Sequence, residues 1–194
     1  YTSMGKAGVK SVMTQGTGEP TVHKNLIPAI KAGKESGLSI SLTTNGVLLN
    51  EKKLENLLPN LEWIRVSAIE STPEVYAYTH GCHESHWHAM MRNLKHMVAI
   101  RNRENLDLVI NCHFMIFPHN IEYLPQAVQI VKDIGIDVMM VKPGDQNPFN
   151  TEHQWERGTH IKYRHVLDEA KELAEDDFIV DLRFDLFEKC NLCV

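Results

Sequence analysis

Short apolar runs that alternate with helical patterns are the feature that most constrains the fold of this chain. Six runs rich in Val, Ile, Leu and Met recur along its 194 residues: VKSVMTQ, LSISLTTN, EWIRVSAI, DLVINCHFMIF, DVMMVKP and FIVDLRF. Several are nearly continuous in apolar residues, which is typical of strands covered on both faces. Their spacing of roughly 25 to 30 residues matches repeated strand–helix units. The pattern predicts an α/β fold with a parallel sheet, either an open doubly wound sheet or a barrel.

Helices are predicted between these runs by apolar residues that recur at helical spacing. The clearest segments contain Leu124, Ala127, Val128, Val131 and Ile134, and then Tyr163, Val166, Leu167, Ala170 and Leu173. Asn50 and the Thr72-Pro73 pair are typical of helix starts, where a polar cap precedes the first turn. Gly37 and Gly135 are typical of helix ends.

Composition excludes several classes of protein. A hydrophobic content of 43% and a charged content of 23% indicate a globular chain of about one domain. The net charge of -5 gives no general attraction to nucleic acid or to an anionic membrane. The apolar runs are far shorter than the roughly 20 residues of a membrane span. Four irregularly spaced cysteines and no visible secretory signal favour a reduced, cytoplasmic setting.

Polar residues stand at the carboxyl ends of five consecutive runs, where both parallel architectures place their chemistry. They are Gln15 and Glu19, then Thr43, Thr44, Asn45 and Gly46, then Arg65, Ser67 and Glu70, then Asn111 and His113, and finally Lys142. Alternation along the fourth run puts Asn111 and His113 on one face and Cys112 on the other, apolar face. Each polar residue alone is equally compatible with the mere end of a strand. Five such ends together favour a site for a small polar ligand.

Four of these strand-helix units resemble the radical S-adenosylmethionine superfamily. GTGEP resembles its Gly-Gly-Glu-Pro motif, with Thr17 in place of the first of the paired glycines. SLTTNGVLL resembles the next strand, which ends in Thr-Asn-Gly, and LEWIRVSAIESTPEVYAYTHG resembles the following Arg-x-Ser strand and its helix. FPHNIEYLPQAVQIVKDIGIDVMMVKP resembles the helix and strand that end in Lys-Pro. The similarity runs from about Gly8 to Pro143 in the expected order.

The resemblance implies a fold and a set of cofactor-binding residues. The fold is a partial (β/α)6 TIM-like barrel of parallel strands over residues 1–177, without its first βα unit, and residues 178–194 begin a C-terminal extension. The implied ligands of S-adenosylmethionine are Thr17, Gly18, Glu19, Thr44, Asn45, Arg65, Ser67, Asn111 and His113. The backbone at Thr17 to Glu19 and the Glu19 carboxylate would face the methionine ammonium. Ser67, with Arg65, would hold the methionine carboxylate or the ribose.

The family's chemistry also needs a [4Fe–4S] cluster, held by three cysteines in Cys-x-x-x-Cys-x-x-Cys. By the resemblance, the cluster receives an electron from a donor such as flavodoxin or ferredoxin and cleaves S-adenosylmethionine to a 5′-deoxyadenosyl radical, which abstracts hydrogen from the substrate. The cysteines of this chain are separated by 30, 78 and 3 positions, so the motif is absent. We therefore expect a fragment that begins inside the first helix, YTSMGKAG, and is inactive alone.

Two other clusters of residues suggest metals. Members of the resembled family carry C-terminal extensions of the SPASM or twitch type, so the resemblance implies that Cys190 and Cys193, in FEKCNLCV, would be ligands of an auxiliary iron–sulfur cluster. Such an extension would fit a peptide substrate as well as a small molecule. A redox dithiol or free thiols are the alternatives. HGCHESHWH, residues 80–88, contains four histidines and Cys82, which suit zinc, although a polar loop entering a helix explains the same stretch.

Two further functions are compatible with the sequence. A (β/α)-barrel aldolase would use Lys142 at a strand end as its Schiff-base lysine. A non-catalytic module would bind S-adenosylmethionine or zinc and would never have had a cluster.

Overall fold

The sheet of this protein contains six parallel strands arranged in sequence order. The computed structural model describes residues 1–67, 69–144 and 162–183. The strands are β1 (Ser11–Thr14), β2 (Ser39–Thr44), β3 (Trp63–Val66), β4 (Val109–Ile116), β5 (Val138–Pro143) and β6 (Ile179–Leu182). Each of the six predicted runs forms one strand, and every neighbouring pair is parallel. The predicted parallel α/β fold, a partial TIM-like barrel, is confirmed.

One helix precedes β1, and the others lie between the strands where the sequence predicts them. They are α1 (Thr2–Lys6), α2 (Leu26–Glu35), α3 (Glu51–Leu57), α4 (Pro73–His80), α5 (Ser85–Glu104), α6 (Leu124–Ile134) and α7 (Arg164–Glu172). Both predicted starts are capped: Asn50 accepts a hydrogen bond from Lys53 N at 2.9 Å, and Thr72 accepts one from Val75 N at 3.3 Å. Gly135 ends α6 with φ 90°, a left-handed conformation that favours glycine. None of the described helices is both long and apolar enough to cross a membrane.

The two faces of the sheet differ in chemistry. Right-handed crossovers that always step to the next neighbour in the same direction place their helices on one face. The side chains at the centre of that helix-covered face are buried; Ile40, Ile64 and Phe114, for example, are 0–1% exposed. Cys112 is also 0% exposed there, which confirms its predicted place in the core. The opposite face, called the open face below, carries polar side chains on its central strands.

The segment predicted to begin a C-terminal extension contains β6. This strand pairs with β5, from Val138↔Ile179 to Val141↔Leu182, so residues 179–182 belong to the sheet. Residues 184–194 of the predicted extension, with Cys190 and Cys193, lie outside the described residues.

Candidate functional site

A cavity of about 290 Å³ opens at the carboxyl ends of β1, β2 and β3. Its lining comprises Gln15, Gly16, Gly18, Glu19, Pro20, Thr43, Thr44, Asn45 and Ser67. Parallel α/β proteins bind ligands at these strand ends. The volume is close to the roughly 300 Å³ at which small-molecule pockets begin.

The carboxylate of Glu19 fastens the loop after β1 to the end of β2. Its Oε1 accepts hydrogen bonds from Thr21 N at 3.0 Å, Thr21 Oγ1 at 2.6 Å and Thr44 Oγ1 at 2.6 Å. Its Oε2 accepts one from Asn45 N at 2.7 Å. A carboxylate has about four acceptor positions, two on each oxygen. Oε1 is therefore fully used within the chain, whereas Oε2 has room for one more donor.

Thr44 extends this network to the end of β3. Its carbonyl accepts hydrogen bonds from Ser67 N at 2.9 Å and from Ser67 Oγ at 3.1 Å. Its hydroxyl accepts one from Gly46 N at 3.0 Å while it donates to Glu19. Thr44 is 2% exposed. Three consecutive strand ends are thus joined by one buried threonine.

The backbone of the loop after β1 remains available to a ligand. Within the described residues, no backbone hydrogen bond involves Gly16, Thr17 or Gly18. Neither glycine has a positive φ, so the turn itself does not require them. A Cβ placed on Gly18 would meet no atom within 4 Å. The absence of side chains therefore leaves the main chain open to close approach from the cavity.

Asn93 on α5 holds the loop that follows β2, and it is not among the predicted site residues. It is 0% exposed on α5, and its Nδ2 donates to Gly46 O at 2.7 Å and to Leu49 O at 2.8 Å. These bonds hold the loop that follows β2. The available signal was a polar residue on the apolar face of a long helix, between Met90 and Met97.

The structure divides the predicted site residues into two groups. Gly18, Glu19, Thr44, Asn45 and Ser67 line the cavity, and Thr17 lies in the loop between two lining glycines. The other predicted residues, which are not among the residues lining it, occupy the open face: Arg65, Asn111 and His113. Of the remaining lining residues, Gln15 and Thr43 are among the polar strand ends that the sequence predicted to form a ligand site. Gly16 and Pro20 belong to the GTGEP motif but were not predicted as ligands.

Arg65 points away from the cavity mouth. Its guanidinium carbon lies 5.0 Å from the centroid of the Trp63 ring. Trp63 precedes Arg65 by two residues on the same face of β3, towards the amino end of the strand. The cation–π contact holds the guanidinium without neutralising its charge.

His113 is a buried, neutral imidazole on the open face. Burial and the nearby cations Lys142, Arg65 and Arg183 lower the pKa of His113 to about 4. The side chain is 7% exposed, and its Nε2 has no partner within the described residues. Near neutral pH it can donate or accept a hydrogen bond but carries no charge.

Glu70 is a second buried titratable group, in the loop after β3. Burial raises its pKa to about 7, although a hydrogen bond from Asn120 opposes the shift. Asn120 Nδ2 donates to Glu70 Oε1 at 2.8 Å and to Met115 O at 2.9 Å. The contact ties the loop after β3 to the end of β4.

The histidine-rich stretch at residues 80–88 has a structural explanation. His83 Nδ1 accepts a hydrogen bond from Ser85 N at 3.1 Å, at the start of α5. Gly81 ends α4 in the left-handed conformation with φ 58°. In the part of the chain that the structure describes, no group of three or more His, Cys, Asp or Glu side chains is placed to hold a metal ion.

Comparison with known proteins gives one curated relative. No family model matches the chain. This chain is 23% identical over 137 residues to the tungsten-containing aldehyde ferredoxin oxidoreductase cofactor-modifying protein of Pyrococcus furiosus. The match covers 69% of this chain and 37% of the relative, so the chain spans less than half of that protein's length.

Solved structures share the fold at low sequence identity. Streptococcus suis SuiB bound to S-adenosylmethionine has a TM-score of 0.66 and 12% identity, and the match covers 89% of this chain and 39% of that one. The anSMEcpe structure with bound AdoMet and Cp18Cys peptide has a TM-score of 0.65 and 15% identity, with 94% of this chain and 54% of that one covered. Both are radical S-adenosylmethionine enzymes. The predicted resemblance is confirmed at the level of the fold.

Proposed function

We propose that this chain, which has the fold of the radical S-adenosylmethionine enzymes, is the part of such an enzyme that binds S-adenosylmethionine. The observation that carries the proposal is the cavity at three strand ends, where Glu19 joins an open, glycine-containing loop to Thr44 and Asn45. Neighbours with S-adenosylmethionine bound support it. The whole enzyme would abstract hydrogen from a small molecule or a peptide, with an electron donor such as flavodoxin or ferredoxin.

The lining of the cavity fits the polar groups of this cofactor. The methionine ammonium would lie against the carbonyls of Thr17 and Gly18 and the free acceptor position of Glu19 Oε2, because a cation needs acceptors of this kind. Thr43 Oγ1, which is buried without a partner, would donate to the ribose or the methionine carboxylate. The Ser67 hydroxyl already donates to Thr44 O, so it is better placed to accept from a ribose hydroxyl.

The described residues do not fit an iron–sulfur cluster. They include two cysteines, Cys82 and Cys112, and Cys112 is 0% exposed on the helix-covered face. A [4Fe–4S] cluster would supply the electron that cleaves S-adenosylmethionine, and it needs three thiolates. Since the four cysteines of the chain lack the required spacing, we place the cluster ligands in sequence outside this chain. The role of this chain is to bind and orient the cofactor.

The full-length protein tests the proposal. After reconstitution with iron and sulfide in the absence of oxygen and reduction with dithionite, it is expected to form 5′-deoxyadenosine from S-adenosylmethionine. Glu19→Ala should lower the yield, whereas Glu35→Ala, which removes an exposed carboxylate at the end of α2, should not. A reconstituted protein that holds its cluster and forms no 5′-deoxyadenosine would contradict the proposal.

We also propose that the substrate of the whole enzyme is a peptide. SuiB has been solved with its precursor peptide SuiA, and anSMEcpe with the Cp18Cys peptide. The proposal rests on these two neighbours alone, and a pull-down of peptides by the full-length protein would test it.

A further inference from the structure

Buried polar atoms without a hydrogen-bond partner are concentrated on the open face of β2, β3 and β4. Within the described residues, eight buried side-chain nitrogen or oxygen atoms have no partner. Four of these eight lie in this one patch: Thr43 Oγ1, Arg65 Nε, Asn111 Oδ1 and His113 Nε2. An unpaired buried polar group destabilises a protein, so natural structures contain few of them. Their concentration indicates that a ligand supplies the missing partners.

The register of the strands makes this patch continuous. Thr43 pairs with Arg65, and Arg65 pairs with Asn111, which gives a row across three strands. His113 follows Asn111 by two residues on the same face. Lys142 pairs with Met115, the next residue of β4 on that face. We call Thr43, Arg65, Asn111, His113 and Lys142 the open-face cluster.

The charge of the open-face cluster is positive. The register places Arg65 and Lys142 on the same face as His113. Burial, and after it these cations together with Arg183, lower the pKa of His113. Among the described residues, neither cation forms an ion pair, whereas Arg183 Nε, beyond the end of β6, lies 2.8 Å from Asp181 Oδ2. Asp181 also lies on the open face, because it pairs with Met140, but its carboxylate is engaged by Arg183. Arg65 and Lys142, which form no ion pair with it, lie beside a neutral imidazole and are suited to an oxyanion.

We propose that the open-face cluster binds an oxyanion of the substrate, a carboxylate or a phosphate, directly beside the S-adenosylmethionine cavity. The inference rests on the proposed function, because it assigns the substrate that the cofactor would act on. Arg65 and Lys142 supply the charge, and the Nε2–H tautomer of His113 donates a neutral hydrogen bond to the anion. Asn111 Oδ1 is an acceptor, so it would take a hydrogen bond from a donor group elsewhere on the substrate. Thr43 belongs both to the cavity lining and to the cluster, so the anion would lie within reach of the cofactor.

This assignment gives the substrate and the cofactor different binding residues. The resemblance implies that Arg65, Asn111 and His113 bind S-adenosylmethionine, but none of them is among the residues lining the cavity. Met115 and Met140 lie on the same face as His113 and provide an apolar surface for the rest of the substrate. An anionic molecule with an apolar body is therefore the expected substrate class.

The test uses the 194-residue chain and two simple anions. Inorganic phosphate and succinate are titrated separately, and binding is followed by the NMR signals of the His113 ring, assigned with the His113→Gln variant. Arg65→Met and Lys142→Met should each weaken anion binding about tenfold or more, which is the effect of removing one charged contact. The matched controls Arg92→Met and Lys95→Met, which remove the same charges from exposed positions on α5, should bind as the wild type does. Preference for one anion identifies the oxyanion as phosphate or carboxylate.

A parallel titration with S-adenosylmethionine separates this inference from the proposed function. Unchanged S-adenosylmethionine binding by Arg65→Met and Lys142→Met, with weakened anion binding, supports a substrate site. If these folded variants lose S-adenosylmethionine binding and the anion competes with the cofactor, the inference is overturned, and Arg65 and Lys142 are cofactor-binding residues. Failure of both anions to bind also overturns it. If the anions bind and S-adenosylmethionine does not, only the proposed function fails. Thermal unfolding of each variant confirms that it is folded.

Discussion

The Glu19 carboxylate accepts a hydrogen bond from the backbone N–H of Asn45 at 2.7 Å, although 26 positions separate the two residues. The same carboxylate accepts a bond from the Thr44 hydroxyl at 2.6 Å. The loop after β1 and the end of β2 are therefore one hydrogen-bonded unit. Glu19 acts on a ligand mainly by fixing where the loop carbonyls lie.

Replacing Glu19 by Ala should release this loop. The change removes the acceptor of Thr21, Thr44 and Asn45 and should lower the free energy of unfolding by about 1 to 3 kcal/mol. Hydrogen exchange at the Asn45 amide should become faster, and S-adenosylmethionine should bind more weakly. Glu35→Ala is the matched control. An unchanged exchange rate at Asn45 would show that the hydrogen bond does not fix the loop.

Asn93 should be as important to the site as any residue that lines it. Asn93→Ala leaves the carbonyls of Gly46 and Leu49 without their donor and should lower the free energy of unfolding in urea by about 2 to 3 kcal/mol. Asn93→Asp should be worse, since it turns a carboxylate oxygen towards the same carbonyls. Asn102→Ala, at an exposed position on the same helix, is the control. Equal stability of the Asn93 and Asn102 variants would refute this role.

The strands and the helix caps could be predicted because their signals are local. Continuous apolar runs such as DVMMVKP predict strands, although the helices cover only one face of this sheet, and Asn50 caps a helix through a residue only three positions away. The ends of parallel strands meet at one edge, which is why Glu19, Thr44 and Ser67 could be grouped before the structure was known.

The details of the site could not be predicted because they depend on contacts between distant parts of the chain. The four hydrogen bonds of Glu19 include two from the end of β2, and periodicity does not reveal them. Arg65 shares a face with Ser67, but its rotamer takes the guanidinium towards Trp63, which alternation along the strand does not specify. In the sequence, Asn93 looks like a polar interruption of an apolar helix face; only the structure shows that it donates to the loop after β2 at Gly46 O.

Glu70 should make the stability of the protein depend on pH. Burial raises the pKa of Glu70 from 4.5 to about 7, so the folded state holds its proton more tightly than the unfolded state does. Its stabilising contribution is fully present below about pH 4.5 and is lost as the pH rises to about 7. Relative to Glu70→Gln, the wild type should lose about 3 kcal/mol across this window. Exposed Glu62→Gln is the control, and urea unfolding at several pH values is the measurement. A constant difference between wild type and Glu70→Gln would contradict the buried, protonated carboxyl.

His113 should contribute with the opposite sign. Burial and neighbouring cations lower its pKa from 6.5 to about 4, so the unfolded state binds the proton more tightly. Its contribution is fully present above about pH 6.5 and is lost as the pH falls to about 4, by about 3 kcal/mol relative to His113→Gln.

Because the windows of Glu70 and His113 overlap, their slopes offset each other in the wild type between about pH 4.5 and 6.5. Glu70→Gln should therefore gain stability with rising pH in this range, and His113→Gln should lose it. The exposed His86→Gln variant should follow the wild type. If His113→Gln and the wild type have parallel pH profiles, burial and the cations of the open face do not hold the imidazole neutral, and the electrostatic argument for an anion there fails with it.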